Sequence, residues 1–262
     1  MNNIDKAIEE LDLRLFEQIP SQSTEDDKQS LLACQAATRD MGGMYSYLEI
    51  GSYLGGSIQP YLLDHLCSRI YSIDKRPAIQ PDERGIDYAY QNNSTARMIE
   101  NLRKVNEGAV DKIVTIDGDT RELSPSDVKE RMQICFIDGE HTDVAVLSDF
   151  KFCLEVLDPK GGAIIFHDAQ ITYNGIADCI KHLEANSIKF HAYCLPSIVF
   201  VIEIGDFPLH KDERIMQRLV DNHRSYIFSL QNNDEFRRFA NKFPFKFVRN
   251  FLTRVRGRHV SG

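Results

Sequence analysis

From Tyr45 onward, short apolar runs alternate with longer segments in which apolar residues recur every three or four positions. The short runs predict β-strands, and the helical recurrence predicts amphipathic helices. The predicted strands lie at 45–50, 69–74, 112–117, 133–138, 162–167, 188–194 and 198–204. The predicted helices lie near 57–67, 94–106, 125–132, 142–157 and 173–186. This alternation predicts an α/β fold: a doubly wound sheet of about seven strands, mostly parallel, with helices on both faces.

The last two predicted strands depart from this alternation, because only Leu195, Pro196 and Ser197 join them. A connection this short cannot hold a crossover helix, so the two strands should form a C-terminal antiparallel hairpin. We expect three parts in the chain: an N-terminal helical cap at 1–44, a main domain at 45–205, and a C-terminal helical extension at 206–262.

The most informative turn follows the first predicted strand, where Glu49 precedes Gly51, Gly55 and Gly56. Glycines leave room for a ligand to approach the backbone, whereas Glu49 places negative charge where the phosphates of a dinucleotide would be repelled. The turn therefore favours a ligand that carries positive charge. The alternative is an ordinary strand-to-helix turn.

Two further predicted strands are followed by acidic residues. Asp74 comes 23 residues after Gly51, close to the offset at which a carboxylate binds the hydroxyls of a ribose. Asp119 follows the third strand, where it can accept from an exocyclic amine such as that of adenine; an ordinary surface turn is the alternative. Because ligands of open parallel sheets bind beyond the carboxyl ends of the strands, these residues should share one site.

Two acids and two histidines follow the fourth and fifth strands: Asp138, His141, His167 and Asp168. Carboxylates suit a hard cation, Mg²⁺ in particular, which makes Asp138 and Asp168 candidate metal ligands. His141 suits a general base, because imidazole accepts a proton near neutral pH; a local hydrogen bond is the alternative. His167 is expected to support the site or to be structural. Asp149 is expected on the solvated face of the next helix, and the alternative is that it turns back towards the site.

Taken in order, these motifs resemble the class I S-adenosylmethionine-dependent methyltransferases. More narrowly, they resemble the methyltransferase domain 24 family, which includes macrocin-type sugar O-methyltransferases and is related to catechol O-methyltransferases. The resemblance spans about residues 45–205 and rests on Glu49-Ile50-Gly51 with Gly55, Asp74, Gly118-Asp119, Ile137-Asp138-Gly139-Glu140-His141, Asp149, Pro159-Lys160-Gly161-Gly162 and Phe166-His167-Asp168. It implies a Rossmann-like sheet. The chain departs from its relatives at Thr142-Asp143-Val144, where they often have Ser-Tyr-Glu.

The resemblance implies S-adenosylmethionine as the cofactor and a role for each matching residue. Its cofactor-binding residues would be Glu49, Gly51 and Gly55 beside the methionine part, Asp74 on the ribose, Asp119 near the adenine, and Asp138. Asp138 and Asp168 would hold Mg²⁺, with the third ligand unassigned, and His141 would be the catalytic base.

This set of residues favours transfer of a methyl group to oxygen. A sugar hydroxyl is a very weak acid, and a cation together with a histidine base addresses that difficulty. We expect an O-methyltransferase acting on a small hydroxylated molecule or a glycan. The alternatives are a methyltransferase-like scaffold without turnover and an NAD-dependent oxidoreductase, which the absence of G-x-G-x-x-G disfavours.

Charge and cysteine content indicate which partners and which cellular compartment to expect. Residues 237–262 hold eight of the 31 basic residues and no acid, which leaves 23 bases against 39 acids, a net charge of −16, for residues 1–236. Such an acidic body does not favour a nucleic-acid partner. Six cysteines without a C-x-x-C pair, and no secretory or membrane-spanning segment, predict a soluble protein of the reducing cytoplasm.

Five of the six phenylalanines at 236–262 recur at near-helical spacing: Phe236, Phe239, Phe243, Phe247 and Phe251. One interpretation is that these rings dock on the domain or on another copy of the chain, as in a homo-oligomer. The other is a peripheral contact with a membrane or an anionic glycan, which would suit a lipid-linked sugar acceptor.

Overall fold

The computed structural model describes residues 3–76, 79–85 and 87–240, with side chains described up to residue 234. Its helices are α1 Asn3–Glu9, α2 Glu25–Asp40, α3 Gln59–Leu63, α4 Thr95–Asn106, α5 Asp143–Val156, α6 Tyr173–Ala185, α7 Glu213–Arg218 and α8 His223–Ala240. Its strands are β1 Tyr45–Ile50, β2 Cys67–Asp74, β3 Ile79–Gln80, β4 Tyr88–Ala89, β5 Ile113–Asp117, β6 Ile134–Ile137, β7 Gly161–Phe166, β8 Phe190–Cys194, β9 Phe200–Gly205 and β10 Asp221–Asn222.

Eight strands form one sheet in the order β10-β8-β9-β7-β6-β1-β2-β5. From β7 to β5 in this order, all neighbouring strands are parallel. β9 pairs antiparallel with both β7 and β8, and β10 adds a short antiparallel edge. The predicted α/β fold, a Rossmann-like doubly wound sheet with a C-terminal hairpin, is confirmed.

The centre of the sheet is buried on both faces, because every residue of β1, β6 and β7 is buried. Strands in such a position are mostly apolar, which explains the apolar runs of β6 and β7, whereas β1 also holds Ser46 and Glu49. Ile50 pairs with Ile73 on one side and with Ile137 on the other, and Ile137 pairs in turn with Phe166. The carboxyl ends of four strands therefore lie level at one edge of the sheet.

The N-terminal residues pack on this sheet through α2. A capping box starts the helix: the Thr24 side chain accepts from the Asp27 amide, and the Asp27 carboxylate accepts from the Thr24 amide at 2.8 Å. The helix therefore begins at Glu25. Leu31 and Leu32 of this helix are buried.

Two predicted helices are shorter than expected. The helix predicted at 57–67 ends at Leu63, because the Asp64 backbone turns extended and the Asp64 carboxylate accepts from the Leu66 amide. The helix predicted at 125–132 is only a 3₁₀ turn, Pro125–Asp127. Beyond that turn the Lys129 amide donates to the Tyr71 hydroxyl, and this tertiary bond competes with helix formation.

The chain divides into two compact units, Met1–His223 and Arg224–Gly262. All six cysteines are free and buried. Across the described ranges, none of the helices combines the length and apolar character needed to cross a bilayer. The hypotheses on the basic tail concern side chains from residue 235 onward, outside the described part, and the division at 1–44, 45–205 and 206–262 stays a prediction.

Candidate functional site

Gly51 lies where the ends of β1 and β6 come closest. Its φ is +90°, and a Cβ at this position would lie 2.1 Å from the carbonyl oxygen of Asp138. Only glycine fits such a position, because both the backbone conformation and the space exclude a side chain. Gly55 also has a positive φ, +87°, and packs against Leu102.

Two clefts open on either side of Gly51. The first is lined by Gly51, Asp74, Asp119, Thr120, Gly139 and Asp149, among others. The second is lined by Gly51, Tyr90, Asp138, His141, His167 and Asp168, among others. A ligand in one cleft therefore meets a ligand in the other beside the backbone of Gly51.

Asp74 borders the first cleft at the end of β2. Its carboxylate accepts from the amides of Tyr53 and Arg76 at 2.9 and 2.7 Å. Arg76 also forms an ion pair with it at 3.3 Å. These contacts hold the carboxylate at the end of β2, and its role in ribose recognition stays a prediction.

Asp119 lies in a network of charges at the other end of this cleft. Arg121 binds it through Nε at 2.8 Å and Nη2 at 2.5 Å, and Lys75 lies 3.6 Å away. The hydrogen bond from Arg121 outweighs burial and lowers the pKa of Asp119 to about 2. Lys75 also pairs with Glu140, so it links the loops that follow β2 and β6.

Asp149 is not on a solvated face, contrary to the expectation from the sequence. It is 6% exposed and lines the first cleft, on the buried stripe of α5 together with Ala145 and Cys153. The Thr120 hydroxyl donates to its carboxylate. The buried face of this predicted amphipathic helix therefore includes one acid.

Glu49 is fully buried beneath Gly51. The Tyr47 hydroxyl donates to one carboxylate oxygen at 2.5 Å and the Ser57 hydroxyl to the other at 2.6 Å. Burial raises the pKa of Glu49 to about 7, although both hydroxyls oppose the shift. The predicted contact of Glu49 with the methionine part of the cofactor stays a prediction, since both oxygens are already hydrogen-bonded.

At the ends of β6 and β7, an imidazole joins the two predicted metal ligands. His167 Nδ1 lies 3.0 Å from an Asp138 oxygen and 2.9 Å from an Asp168 oxygen, and the three potential ligand atoms all lie within 4.8 Å of one another. Burial would lower the pKa of His167, yet the nearby carboxylates raise it well above its usual range. The histidines in turn hold the pKa of Asp138 at about 2 despite burial.

These three groups fit a divalent cation by the chemistry of their donors. Two carboxylates and one imidazole form a set that Mn²⁺ or Zn²⁺ accepts as well as Mg²⁺ does, because imidazole suits the softer ions. His167 is thus the candidate for the third ligand left open by the sequence, and its position just before Asp168 was the available signal.

His141 lies on the second cleft, opposite the strand ends. Its Nε2 is 3.2 Å from an Asp168 oxygen and 3.8 Å from an Asp138 oxygen, while Nδ1 is 3.6 Å from Asp82. Asp138 and Asp168 raise the pKa of His141 in spite of burial. The backbone of residue 83 also donates to the His141 carbonyl at 2.9 Å, which attaches the loop before β4 to the site.

Four residues in or next to the second cleft were not identified from their types and spacing. Asp82 is buried next to His141, and Asp27 reaches His167 from α2. Arg84 and Tyr88 line the cleft from the segment between β2 and α4. The sequence did not identify Asp27 as a site residue, because an acid three residues after a threonine is an ordinary helix-capping pattern.

Comparison with known proteins places this site in context. Residues 48–169 match the family model described as a methyltransferase domain, that of the methyltransferase domain 24 family. No curated protein matches by sequence. The O-methyltransferase NovP is 13% identical, with a TM-score of 0.52 over 68% of this chain and 78% of that chain. A TDP-rhamnose 3'-O-methyltransferase of calicheamicin biosynthesis is 17% identical, with a TM-score of 0.49 over 77% and 94% of the two chains.

Proposed function

Because residues 48–169 of this chain match the family model of a methyltransferase domain, we propose that the protein is an S-adenosylmethionine-dependent O-methyltransferase. The observation that carries the proposal is the arrangement of the two clefts. The first offers a ribose-type carboxylate, Asp74, and the second offers Asp138, His141 and Asp168. Both are lined by Gly51, so donor and acceptor would meet there.

In this proposal the first cleft binds the cofactor. Asp74 accepts the ribose hydroxyls, Asp119 borders the adenine, and Glu49, Gly51 and Gly55 surround the methionine part. The cofactor supplies an electrophilic methyl group on a positively charged sulfonium. The buried charge of the surrounding acids suits such a ligand, and the glycine turn lets it approach the backbone.

The second cleft would bind the acceptor hydroxyl next to a divalent cation, Mg²⁺ or a softer ion. Asp138, His167 and Asp168 would hold the cation, which stabilises negative charge on the acceptor oxygen. His141 accepts the proton of that hydroxyl through Nε2, which faces Asp168. The cleft then aligns acceptor and methyl group, a contribution of several kcal/mol to lowering the barrier.

The acceptor we propose is a small hydroxylated molecule or a sugar. Tyr53 and Tyr90 pack edge to face at 5.2 Å, and Arg84 lies over the Tyr88 ring at 5.6 Å. Aromatic rings with hydroxyl groups and a guanidinium offer both stacking and hydrogen bonds to a polar ring. A nucleic-acid acceptor is not part of the proposal, and cytoplasmic location, homo-oligomer formation and a membrane contact through the tail stay proposals.

Calorimetry on chelator-treated protein tests this function. S-adenosylmethionine and S-adenosylhomocysteine should bind with micromolar affinity, and Asp74→Ala should weaken both by tenfold or more. A screen of hydroxylated acceptors with each divalent cation then follows. Absence of binding by either nucleoside would exclude the methyltransferase and favour the scaffold; cofactor binding with no turnover on any acceptor would favour the scaffold as well.

A further inference from the structure

A further cavity lies at the opposite edge of the sheet from the two clefts. Gly205 lines it and pairs with Gly161 at the start of β7, whereas the clefts lie beyond the carboxyl ends of the strands. Four basic residues line this cavity, which we term the basic cavity: Lys189, His191, His210 and Lys211. None of them takes part in the proposed methyl transfer.

A buried acid holds His210 in the basic cavity. Glu203 of β9 is 3% exposed and accepts from the Tyr193 hydroxyl at 2.7 Å and from the His210 amide at 2.6 Å. Its second oxygen lies 2.5 Å from His210 Nδ1. Because a carboxylate only accepts, Nδ1 carries the hydrogen of this bond and Nε2 is the free nitrogen of the ring. Both oxygens of Glu203 are thus occupied by donors of the protein itself.

His191 lies against His210, with ring centroids 4.1 Å apart. The register explains this contact, since His191 pairs with Glu203 across β8 and β9, and His210 reaches the same carboxylate. Burial lowers the pKa of His191, and the positive charges of His210 and His223 lower it further, whereas Glu203 opposes the shift. An anion in the basic cavity would offset this repulsion between like charges.

Two exposed lysines add to the positive charge of the basic cavity. Within the described part of the chain, neither Lys189 nor Lys211 forms a side-chain hydrogen bond or an ion pair. The acids of the lining are Asp206 and Glu203, and Glu203 is already occupied. The remaining charges therefore favour an anionic ligand, and the lysines disfavour a metal ion that the imidazoles alone would suit.

The types of donor indicate which anion fits. Within the described ranges no arginine lines the basic cavity, so the planar fork that matches a carboxylate is missing. Ammonium and imidazole groups are single donors, each of which meets a different oxygen of a tetrahedral phosphate. Phe190, Phe207 and Pro208 supply an apolar wall that suits the organic part of a phosphate ester.

We propose that the basic cavity binds a phosphate group, which is contacted by Lys189, Lys211 and Nε2 of His210. The phosphate is either the free ion or part of a small phosphate ester. His191 lies beside it and gains a negative neighbour when the ligand binds. This site is independent of the proposed methyl transfer.

Nuclear magnetic resonance of the imidazole groups tests the site, during titration of the full chain with inorganic phosphate at constant pH and ionic strength. The signals of His191 and His210, assigned with His191→Asn and His210→Asn, should shift and saturate. His65, whose side chain is 57% exposed beside Asp5, should not respond. Phenyl phosphate distinguishes the two sources: tighter binding than that of inorganic phosphate indicates an ester, and similar binding indicates the free ion.

Charge-removing variants separate binding from unspecific screening. Lys189→Gln combined with Lys211→Gln should weaken phosphate binding about tenfold or more, the loss expected for a charged hydrogen bond. Both lysines are exposed, so the double variant should remain folded. Lys181→Gln is the matched control, because Lys181 is also exposed but pairs with Asp178 and does not line the cavity. It should retain the affinity of the wild type.

An equal response to chloride, or equal phosphate affinity in the double variant and the wild type, would overturn the proposal. Saturable binding of Zn²⁺ at His191 and His210 with no response to phosphate would also overturn it and assign the cavity to a metal ion. Calorimetry should give the same affinity for S-adenosylhomocysteine with and without phosphate. Failure of this site and failure of the methyltransferase proposal are therefore distinguishable.

Discussion

A carboxylate oxygen of Asp27, in the first turn of α2, lies 3.5 Å from Nε2 of His167 at the end of β7. The opposite ring nitrogen, Nδ1, faces Asp138 and Asp168. A histidine that binds a metal through one nitrogen commonly has a carboxylate at the other, which fixes the orientation of the ring. The N-terminal residues thereby contribute to a site built mainly by the sheet.

The first prediction concerns this contact. Asp27→Asn should weaken binding of Mn²⁺ about tenfold or more, because the amide no longer orients His167 by charge. Binding of S-adenosylhomocysteine should change little, since Asp27 does not line the first cleft. Mn²⁺ electron paramagnetic resonance and calorimetry measure the two affinities.

The neighbouring acid provides the control for that experiment. Asp26 is 63% exposed in its side chain and contacts Arg218 instead of His167, so Asp26→Asn should retain the affinity for Mn²⁺. A weakening of equal size in both variants would mean that Asp27 acts only through the stability of α2.

The second prediction concerns the proposed cation itself. Asp168 has a φ of +51°, a conformation that asparagine tolerates better than most residues. Asp168→Asn should thus remain folded and bind S-adenosylhomocysteine normally. Its methyl transfer should be slower than that of the wild type by about a hundredfold or more, and adding excess divalent cation should restore little. Undiminished turnover of the wild type in a chelator would show that no cation takes part.

The third prediction tests whether His141 acts as the base or binds the substrate. His141→Gln should lower kcat by about a hundredfold to ten-thousandfold, the usual contribution of a general base, with KM for the cofactor nearly unchanged. Steady-state kinetics with an identified acceptor measure both. A large rise in KM with an unchanged kcat would assign His141 to substrate binding.

The fourth prediction tests the contact between two strand ends. Gly51→Ala should destabilise the protein by several kcal/mol, because the new Cβ would lie 2.1 Å from the Asp138 carbonyl oxygen. Gly42→Ala is the matched control: its φ is also +90°, but a Cβ there meets nothing within 4 Å. Urea denaturation measures the stability of both variants. Equal losses of stability would mean that the positive φ, and not the contact with Asp138, accounts for the effect.

The fifth prediction uses the buried Glu49. Its pKa is about 7 in the folded protein and 4.5 in the reference state, so the folded protein binds the extra proton between these values. This group therefore favours folding at low pH, and its contribution declines as the pH rises from about 4.5 to 7, by about 3 kcal/mol.

Glu49→Gln removes that titration. The difference in unfolding free energy between the variant and the wild type should shift in favour of the variant as the pH rises from 5 to 8. Urea denaturation at several pH values measures this shift. A difference that stays constant over the range would show that Glu49 is ionised throughout.

Much of the fold follows from local pattern, because strands buried on both faces are mostly apolar. The predicted bounds of β1, β6 and β7 lie within about one residue of the observed ones. The link at 195–197 is too short for a crossover helix, and this was enough to predict the hairpin of β8 and β9. The 3₁₀ turn at Pro125–Asp127 was missed, since the bond from Lys129 to Tyr71 joins residues far apart in sequence.

For the site, the sequence by itself determined which residue types follow each strand: the glycine turn, Asp74, Asp119, and the acids and histidines after β6 and β7. Parallel strands bring their carboxyl ends to one edge, so residue order is enough to group these side chains. Only the tertiary structure decided that Asp149 is buried in the first cleft and that Asp27 reaches His167. Those contacts depend on how helices pack on the sheet, and helical periodicity does not say which polar residue the packing will enclose.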